Sequence, residues 1–415
     1  MQDRNVTIVG GGIIGLMTAY HLMERGIAVT IIDAVPPGDR AQTSYGNAGS
    51  ISIGNVLPLG KPGFVMDGIR MTLDPESPLV MPISYMPRIA PWLYKVWRAS
   101  GRATVEASAK ASALLSHESL AAWQALVTDL KLSELVRPDG WLKLYETEAS
   151  FEKTAKERAL MDRFGFGYRV LDPDALAELE PGIAPIYPKA ILQTQSLAIR
   201  NPGRCVSALA SHLLARGAAF TLGRVTHIER AEGGYYVKGE GIDHLARELV
   251  IAGGAWSNRL LKGLGIRVPL ETERGYHLMF DGGAGLSRPT VNMNRYFVLC
   301  PMEQGLRMTA CVELAGLEAK PDYRRIRRLV AHAKRMLPGM ATDERDQWLG
   351  FRPSMPDTRP VIGEAGGHKG LYLAFGHGHM GMTHSAGTGR LLAGLIASGE
   401  GGDVLAPFAP ARFGA

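Results

Sequence analysis

The clearest pattern of apolar and polar positions lies at the start of the chain. Val6-Thr7-Ile8-Val9 is a short apolar run of the kind a buried strand carries, and GGGIIG follows at once. Over residues 13–25 the apolar side chains Ile13, Ile14, Leu16, Met17, Tyr20 and Met23 recur at helical spacing, and Gly26 suits the position just past a helix end. Residues 29–32 form a second apolar run that closes on Asp33. Strand, helix and strand in this order predict a βαβ unit with parallel strands.

The remaining pattern alternates between helix and strand. Residues 34–62 are rich in Gly, Pro, Ser and Asn and read as loop. Residues 103–131 predict a long helix whose buried face carries Trp123, Leu126, Val127 and Leu130. Residues 141–145 predict a strand. Asp172-Pro173 and Asn201-Pro202 each read as a helix cap followed by proline at the first helical position, and the second helix ends near Gly217. Residues 218–256 read as strand, a turn at Gly233-Gly234, strand, and a last strand over 248–252. Residues 274–281 and 295–313 predict strands of a second sheet, 322–337 a basic helix, 372–375 a strand and 383–397 a helix. No internal repeat is present. The order predicts two interleaved domains, a Rossmann-like α/β domain from 1–80, 197–268 and 350–415, and an α+β domain from 81–196 and 269–349. The second is expected to rest on a mixed or antiparallel β-sheet with helices.

Composition narrows the class. The chain has 415 residues, 46% hydrophobic and 21% charged, which fits a globular protein and excludes a disordered one. No apolar run reaches the roughly 18 residues of a membrane span. The opening MQDRNVTIVGGG lacks the basic and apolar regions of a signal peptide. Cys205, Cys300 and Cys311 are scattered without a CxxC, so neither a disulfide framework nor a thiolate metal site is expected, and a reducing, cytoplasmic compartment is. The net charge of +6 keeps nucleic acid open as a partner. The densest basic run, Arg324, Arg325, Arg327 and Arg328 with His332, Lys334 and Arg335, carries a helical apolar stripe of Ile326, Leu329, Val330, Ala333 and Leu337. It reads as a solvated helix face, and no aromatic-interleaved RNA motif accompanies it.

Gly10, Gly12 and Gly15 fit G-x-G-x-x-G directly after a strand and at the opening of a helix. The first glycine permits the tight turn, the second lets backbone reach a pyrophosphate, and the third lets helix pack on sheet. The helix N-terminus offers free N–H groups to phosphates, and Ile13 and Ile14 stand in its first turn. Asp33, followed by Ala34, lies where an acid binds ribose hydroxyls and would repel a 2′-phosphate, which disfavours NADP. The fingerprint alone does not choose between FAD and NAD.

Other segments bear on that choice. Thr43-Ser44-Tyr45-Gly46-Asn47-Ala48-Gly49-Ser50-Ile51-Ser52 resembles the flavin loop of the D-amino-acid dehydrogenases. Ile251-Ala252-Gly253-Gly254-Ala255-Trp256-Ser257 is similar to that family's second dinucleotide contact. Gly350-Phe351-Arg352-Pro353, Pro356-Asp357 and Pro360-Val361-Ile362-Gly363 resemble its near-C-terminal signature, and Gly376-His377-Gly378-His379-Met380-Gly381-Met382-Thr383 its closing flavin turn. The resemblance runs from end to end and points to the superfamily of FAD-dependent D-amino-acid dehydrogenases and of glycine, D-amino-acid and sarcosine-type oxidases. It implies a Rossmann-like FAD-binding domain interleaved with a substrate domain. It also implies FAD contacts at the fingerprint, the 43–51 loop, Val225, Gly253, Gly254, Trp256, Gly378, His379, Gly381, Met382 and Thr383. Gly46 stands where some related enzymes place a tethering histidine, and no cysteine follows Cys311, so the flavin is expected to be noncovalent.

Arg352 is the candidate anchor for a substrate carboxylate, because guanidinium binds carboxylate with two parallel hydrogen bonds. Tyr276, His277, Arg295 and Tyr296 are placed on strands of the second domain. Alternation puts Tyr276 and His277 on opposite faces, so that one of them faces the flavin. Tyr296 and His379 are read as pocket-lining, with His379 a candidate proton acceptor. His377 and His379 have no third ligand nearby, so no metal is expected. The implied reaction is hydride transfer from Cα to flavin N5, giving an imine that hydrolyses to a 2-oxo acid. A small D-amino acid is the leading substrate. D-Proline, hydroxy-D-proline, sarcosine or an iminodiacetate-like secondary amine, or a 2-hydroxy acid on the same scaffold, are the alternatives, with a non-catalytic nucleotide- or nucleic-acid-binding protein as the reading from another class. Oxygen and quinone both stand as electron acceptors. PRIAPWLYKVWR over 87–98 mixes Trp92, Tyr94 and Trp97 with Arg88, Lys95 and Arg98, and is read either as packing near the pocket or as a peripheral contact with the inner face of the membrane.

Overall fold

The computed structural model of the chain describes residues 4–58, 60, 68 and 77–415. Residues 59, 61 and 62 of the loop expected over 34–62, and residues 1–3, 63–67 and 69–76 of the segment 1–80, lie outside the described residues.

The apolar strand runs assemble a six-stranded sheet in the order Ala219–Leu222, Ala28–Asp33, Asn5–Val9, Glu248–Ile251, Leu371–Phe375 and Val361–Glu364. The first five are parallel and the last is antiparallel. Continuous apolar runs suit these strands because both faces are covered. Val6 and Ile8 point into a core shared with the helices Ile13–Met23, Pro202–Ala215 and Gly381–Ser398. Val9, Leu249 and Ile251 point the other way, onto an antiparallel meander of Val225–Ala231, Gly234–Gly239 and Ile242–Ala246. Five strands stand where three were expected over 218–256: the first run divides into Ala219–Leu222 and Val225–Ala231, in different sheets, and the third meander strand is additional. Its DHL centre has no apolar alternation strong enough to mark it. Both expected caps are made: Asp172 accepts from Ala175 N at 2.9 Å and Asn201 from Arg204 N at 3.0 Å.

A nine-stranded sheet forms the second layer. Its order is Glu344–Ser354, Glu271–Phe280, Gly305–Glu313, Phe297–Met302, Thr290–Asn292, Trp141–Tyr145, Lys189–Gln193 and Tyr168–Leu171, with Leu79–Val80 beside Val312 and Glu313. The pairing is antiparallel except where Thr290–Asn292 meets Trp141–Tyr145 and at the short strand Leu79–Val80. Three expectations change here. Residues 295–313 are two strands rather than one run, and Arg295 and Tyr296 sit in the turn before the first, with Tyr296 in the left-handed region at φ 55°. Strand Glu344–Ser354 crosses the limit drawn at 350, so residues 350–354 belong to the second sheet. The basic segment breaks into two short helices, Arg324–Arg328 and Val330–Met336. Their apolar stripe is buried and two of their arginines pair with Asp322 and Glu344, which makes the segment a solvated helix face.

The long helix Arg102–Asp129 packs on Gly381–Ser398. Trp123 Nε1 donates to Met382 O at 3.1 Å, and Gly387 N donates to Ser119 Oγ at 3.0 Å. Each strand of the large sheet sends alternate residues to opposite faces. Leu142, Leu144, Tyr276, Leu278, Phe297 and Leu299 build a core on the outer face. Lys143, Gly275, Val291, Val298 and Thr309 face inward, toward the ends of the six-stranded sheet.

Candidate active site

Between the two sheets lies a cavity of ≈ 1200 Å³. It opens at the carboxyl ends of the parallel strands, where open α/β sheets bind their ligands. Its volume exceeds the roughly 300–1,000 Å³ of a single small-molecule site and suits a dinucleotide with a substrate beside it.

The fingerprint glycines divide into two kinds. Gly10, at φ 118°, comes so close to the next strand that a Cβ would lie 2.3 Å from Ala252 O. At Gly15 a Cβ would lie 1.9 Å from Gly10 O. Both are required by the protein's own backbone, and Gly15 does not line the cavity. Gly12 does, with Ile13 and Ile14, and a Cβ there would meet only Ser44 Oγ, at 3.6 Å. Its missing side chain therefore leaves room for a ligand rather than for the fold.

Asp33 and Ala34 line the same end. The Asp33 carboxylate accepts from Gly11 N at 2.6 Å, Gln42 Nε2 at 3.2 Å and Val35 N at 3.2 Å, so it organises the glycine turn besides facing the cavity. Burial pushes its pKa up against those hydrogen bonds. Val225, Gly253, Gly254 and Trp256 line the wall at the strand ends nearby.

The 43–51 loop crosses the cavity. Thr43, Ser44, Asn47, Ala48 and Ser50 line it, while Gly49 and Ile51 lie behind. Asn47 Oδ1 accepts from Gly49 N at 2.8 Å and Ser50 N at 3.2 Å, and Ser44 Oγ accepts from Ile13 N at 3.1 Å. Arg307, which the sequence reading did not single out, clamps the loop from the large sheet by donating to Tyr45 O at 3.1 Å and Asn47 O at 2.7 Å. At the opposite edge Gly378, His379, Gly381 and Met382 line the cavity at the start of helix Gly381–Ser398. Thr383 does not; its Oγ1 accepts from Ser52 N at 3.1 Å and ties the 43–52 loop to the start of that helix. These residues fit FAD: Gly12 leaves an open cradle at a helix N-terminus, and Ser50 Oγ is buried with no partner among the described residues.

Beside Phe351, whose carbonyl accepts from Thr43 Oγ1 at 3.0 Å, the wall turns charged. Arg352 and Glu273 are cross-strand neighbours, and both line the cavity with His379. Glu273 Oε2 and His379 Nε2 are 2.6 Å apart. Arg352 Nη1 donates to Cys311 O at 3.3 Å. Burial opposes the charges here. It pulls the Arg352 guanidinium down from its usual range, with Glu273 acting against it. It pushes Glu273 up too, but His379, Arg352 and the Ser354 hydroxyl together outweigh it and hold that carboxyl below the usual range. Glu273 was not foreseen, because an acid within the polar run Glu271-Thr272-Glu273-Arg274 carries no motif.

Tyr276 and His277 do not reach the cavity. Tyr276 faces the outer core, where its hydroxyl bonds Glu313 and its ring packs on Tyr323 at 5.2 Å. His277 is on the opposite face but covered: its ring stacks on Trp348 at 5.0 Å, and burial pushes its pKa down to about 2. Arg274 shares the outer face with Tyr276 and pairs with Glu313 at 3.0 Å. Tyr296 lines the cavity from its turn, half exposed. Arg295 lies 3.7 Å from Glu146.

The sequence pattern of the family described as FAD dependent oxidoreductase (DAO) matches residues 5–395. A D-amino-acid oxidase of Bradyrhizobium diazoefficiens is 34% identical over 420 residues, covering 99% of this chain and 99% of that protein. A D-amino acid dehydrogenase of Allorhizobium ampelinum is 30% identical over 402 residues, covering 94% of each. The crystal structure of glycine oxidase from Geobacillus kaustophilus superposes with a TM-score of 0.74 at 21% identity, over 99% of both chains, and shares the fold.

Proposed function

The chain belongs to the DAO family of FAD-dependent oxidoreductases, and from that premise we propose that it oxidises the Cα–N bond of a small amino acid of the D-amino-acid type. The observation that carries this reading is Arg352, whose guanidinium lies on the cavity wall with Cys311 O as its one hydrogen-bond partner among the described residues. A fork so placed takes an α-carboxylate with two parallel bonds. The two relatives described above, 34% and 30% identical, are named for D-amino acids.

Bound FAD supplies the two-electron acceptor for the hydride from Cα. The chain supplies orientation and electrostatics. Arg352 fixes the carboxylate and so sets the direction of the Cα–H bond. The N-terminus of helix Gly381–Ser398 brings a partial positive charge to the cavity edge, favouring negative charge there. His379 stands on the same edge as proton acceptor for the amine, and Tyr296 lines the entrance. The imine leaves and hydrolyses to a 2-oxo acid in water.

Oxygen and quinone remain the two acceptors in this reading, and peripheral membrane contact belongs to the quinone arm. Helix Met86–Ala99 supports it. Ile89 and Val96 are buried, while Tyr94 and Trp97 are exposed beside Arg88, Lys95 and Arg98. Among the described residues no helix is long and apolar enough to cross a membrane. Cys205, Cys300 and Cys311 are all free thiols, which supports the cytoplasmic reading.

The test is a screen of amino, imino and 2-hydroxy acids that follows bleaching of the bound flavin without oxygen. Hits repeated with oxygen and with a quinone dye identify the acceptor. Bleaching by D-amino acids is expected. Bleaching by 2-hydroxy acids alone would overturn the reading.

A further inference from the structure

Glu273 and Arg352 occupy directly opposed positions on paired strands, which sets their Cα atoms roughly 5 Å apart. Opposite charges so placed would ordinarily close on each other. Here they do not: Glu273 bonds His379 at 2.6 Å, and Arg352 bonds the carbonyl of Cys311. Each keeps bonding capacity toward the cavity. The Glu273 carboxylate, bonded by His379 and approached by the Ser354 hydroxyl, has about four acceptor sites and so keeps lone pairs, and Arg352 has four of its five N–H groups beyond the Cys311 bond. The wall therefore presents an anion acceptor and a cation acceptor side by side. That spacing suits a ligand whose carboxylate and nitrogen sit on one carbon.

We propose that Glu273 reads the substrate nitrogen, accepting an N–H hydrogen bond from the amine beside the carboxylate that Arg352 fixes, with His379 as the positioning residue that holds Glu273 off Arg352. This rests on the amino-acid reading of the site and deepens it. An α-amino acid satisfies both charges of the wall. A 2-hydroxy acid brings no cation to Glu273, and a plain carboxylate leaves Glu273 without a partner from the ligand. A buried carboxylate left unpaired weakens binding, so the acid selects by the nitrogen.

Three ligands of nearly one shape separate the terms. 2-Aminoisobutyrate, 2-hydroxyisobutyrate and trimethylacetate differ only in an amino, hydroxyl or methyl group on the carbon beside the carboxylate. None carries a hydrogen on that carbon, so none can be oxidised there. Their dissociation constants for the FAD-loaded protein are read from perturbation of the flavin absorption. The parent is expected to bind the amino ligand at least about tenfold tighter than the hydroxy ligand, a charge-assisted hydrogen bond being worth more than a neutral one. Glu273→Gln should bring that ratio to within about twofold of unity and leave trimethylacetate bound at least as well. His379→Ala should weaken trimethylacetate, because Glu273 is then free to turn onto Arg352. Adding Glu273→Gln to His379→Ala should restore it.

A parent ratio near unity overturns the proposal without any variant, as does a ratio that survives in Glu273→Gln. No rescue in the double variant overturns the positioning role of His379. If the loaded parent binds none of the three, the amino-acid reading itself has failed and the inference falls with it.

Discussion

The guanidinium of Arg352 lies across Gly275 on the neighbouring strand: a Cβ at that glycine would fall 2.2 Å from Nη2. Gly275 is opposed in register by a second glycine, Gly350, so the sheet is bare where the arginine folds over it. A cation on a four-atom stem is thereby laid flat on the cavity wall instead of pointing freely into it. The proposed carboxylate anchor is thus a property of three positions on two strands.

Arg352→Met should retain FAD and lose anaerobic reduction by amino acids. Removing one partner of a buried, hydrogen-bonded charge pair costs roughly 2–5 kcal/mol, on the order of 30- to 5,000-fold. Arg352→Lys should recover part, since charge remains without the fork. Gly275→Ala should move in the same direction with the guanidinium intact. The measurement is flavin reduction against substrate concentration in all four proteins. Undiminished reduction of Arg352→Met would make that arginine structural.

Two glycines of the fingerprint, Gly12 at the cavity and Gly15 behind it, should part company. Gly12→Val is expected to fold and to be purified without flavin, because its side chain enters ligand space and not backbone. Gly15→Val should fail to accumulate as folded protein, since its Cβ alone would lie 1.9 Å from Gly10 O. Flavin content and circular dichroism of the two variants decide it. Full flavin in Gly12→Val would remove the phosphate turn from the site.

Acid denaturation should release all the yellow colour from the polypeptide. Gly46, at the place of a tethering histidine in some relatives, has the Trp348 ring within 2.0 Å of where a Cβ would stand. Cys311 lines the cavity, but burial pushes its thiol up to about 12, so it is not a thiolate nucleophile. Flavin that stays with the precipitated chain would contradict this.

Stability should fall as pH drops below about 6.5, the ordinary histidine value. Burial pushes His377 and His384 down to about 3, so both stay neutral in the folded protein while the unfolded chain takes up their protons. In that window the unfolded state binds more protons, which makes stability rise with pH and fall on acidification. At pH 5 the loss is about 2 kcal/mol per histidine. Urea midpoints of the parent and of His384→Gln at pH 7.5 and 5.0 test it. The parent should lose more than the variant, and equal losses would assign the acid sensitivity elsewhere.

The nucleotide half was legible because its physics is local. A βαβ turn is made by residues 5–33 acting on near neighbours, so strand runs, glycine spacing and the closing Asp33 announce it without reference to the rest of the chain. The caps at Asp172 and Asn201 are legible for the same reason, each bonding a backbone N–H three residues on. Arg352 and His379 could be picked out only through their resemblance-bearing motifs, since neither residue has a local reason to be where it is.

What the tertiary structure alone decided is which side chains the large sheet turns inward. Tyr276 and His277 looked equally eligible along one strand. Strand alternation sent Tyr276 to the outer core, and Trp348, from a strand the sequence pattern had not marked, covered His277. Glu273 and Arg352 are 79 positions apart in the chain and opposed in the sheet. Nothing near either residue encodes the other. Sequence determined the elements and the glycine turn, because those follow from the covalent order of neighbouring residues. The charged wall arises from register between distant strands, which is settled only when the whole sheet buries its outer face.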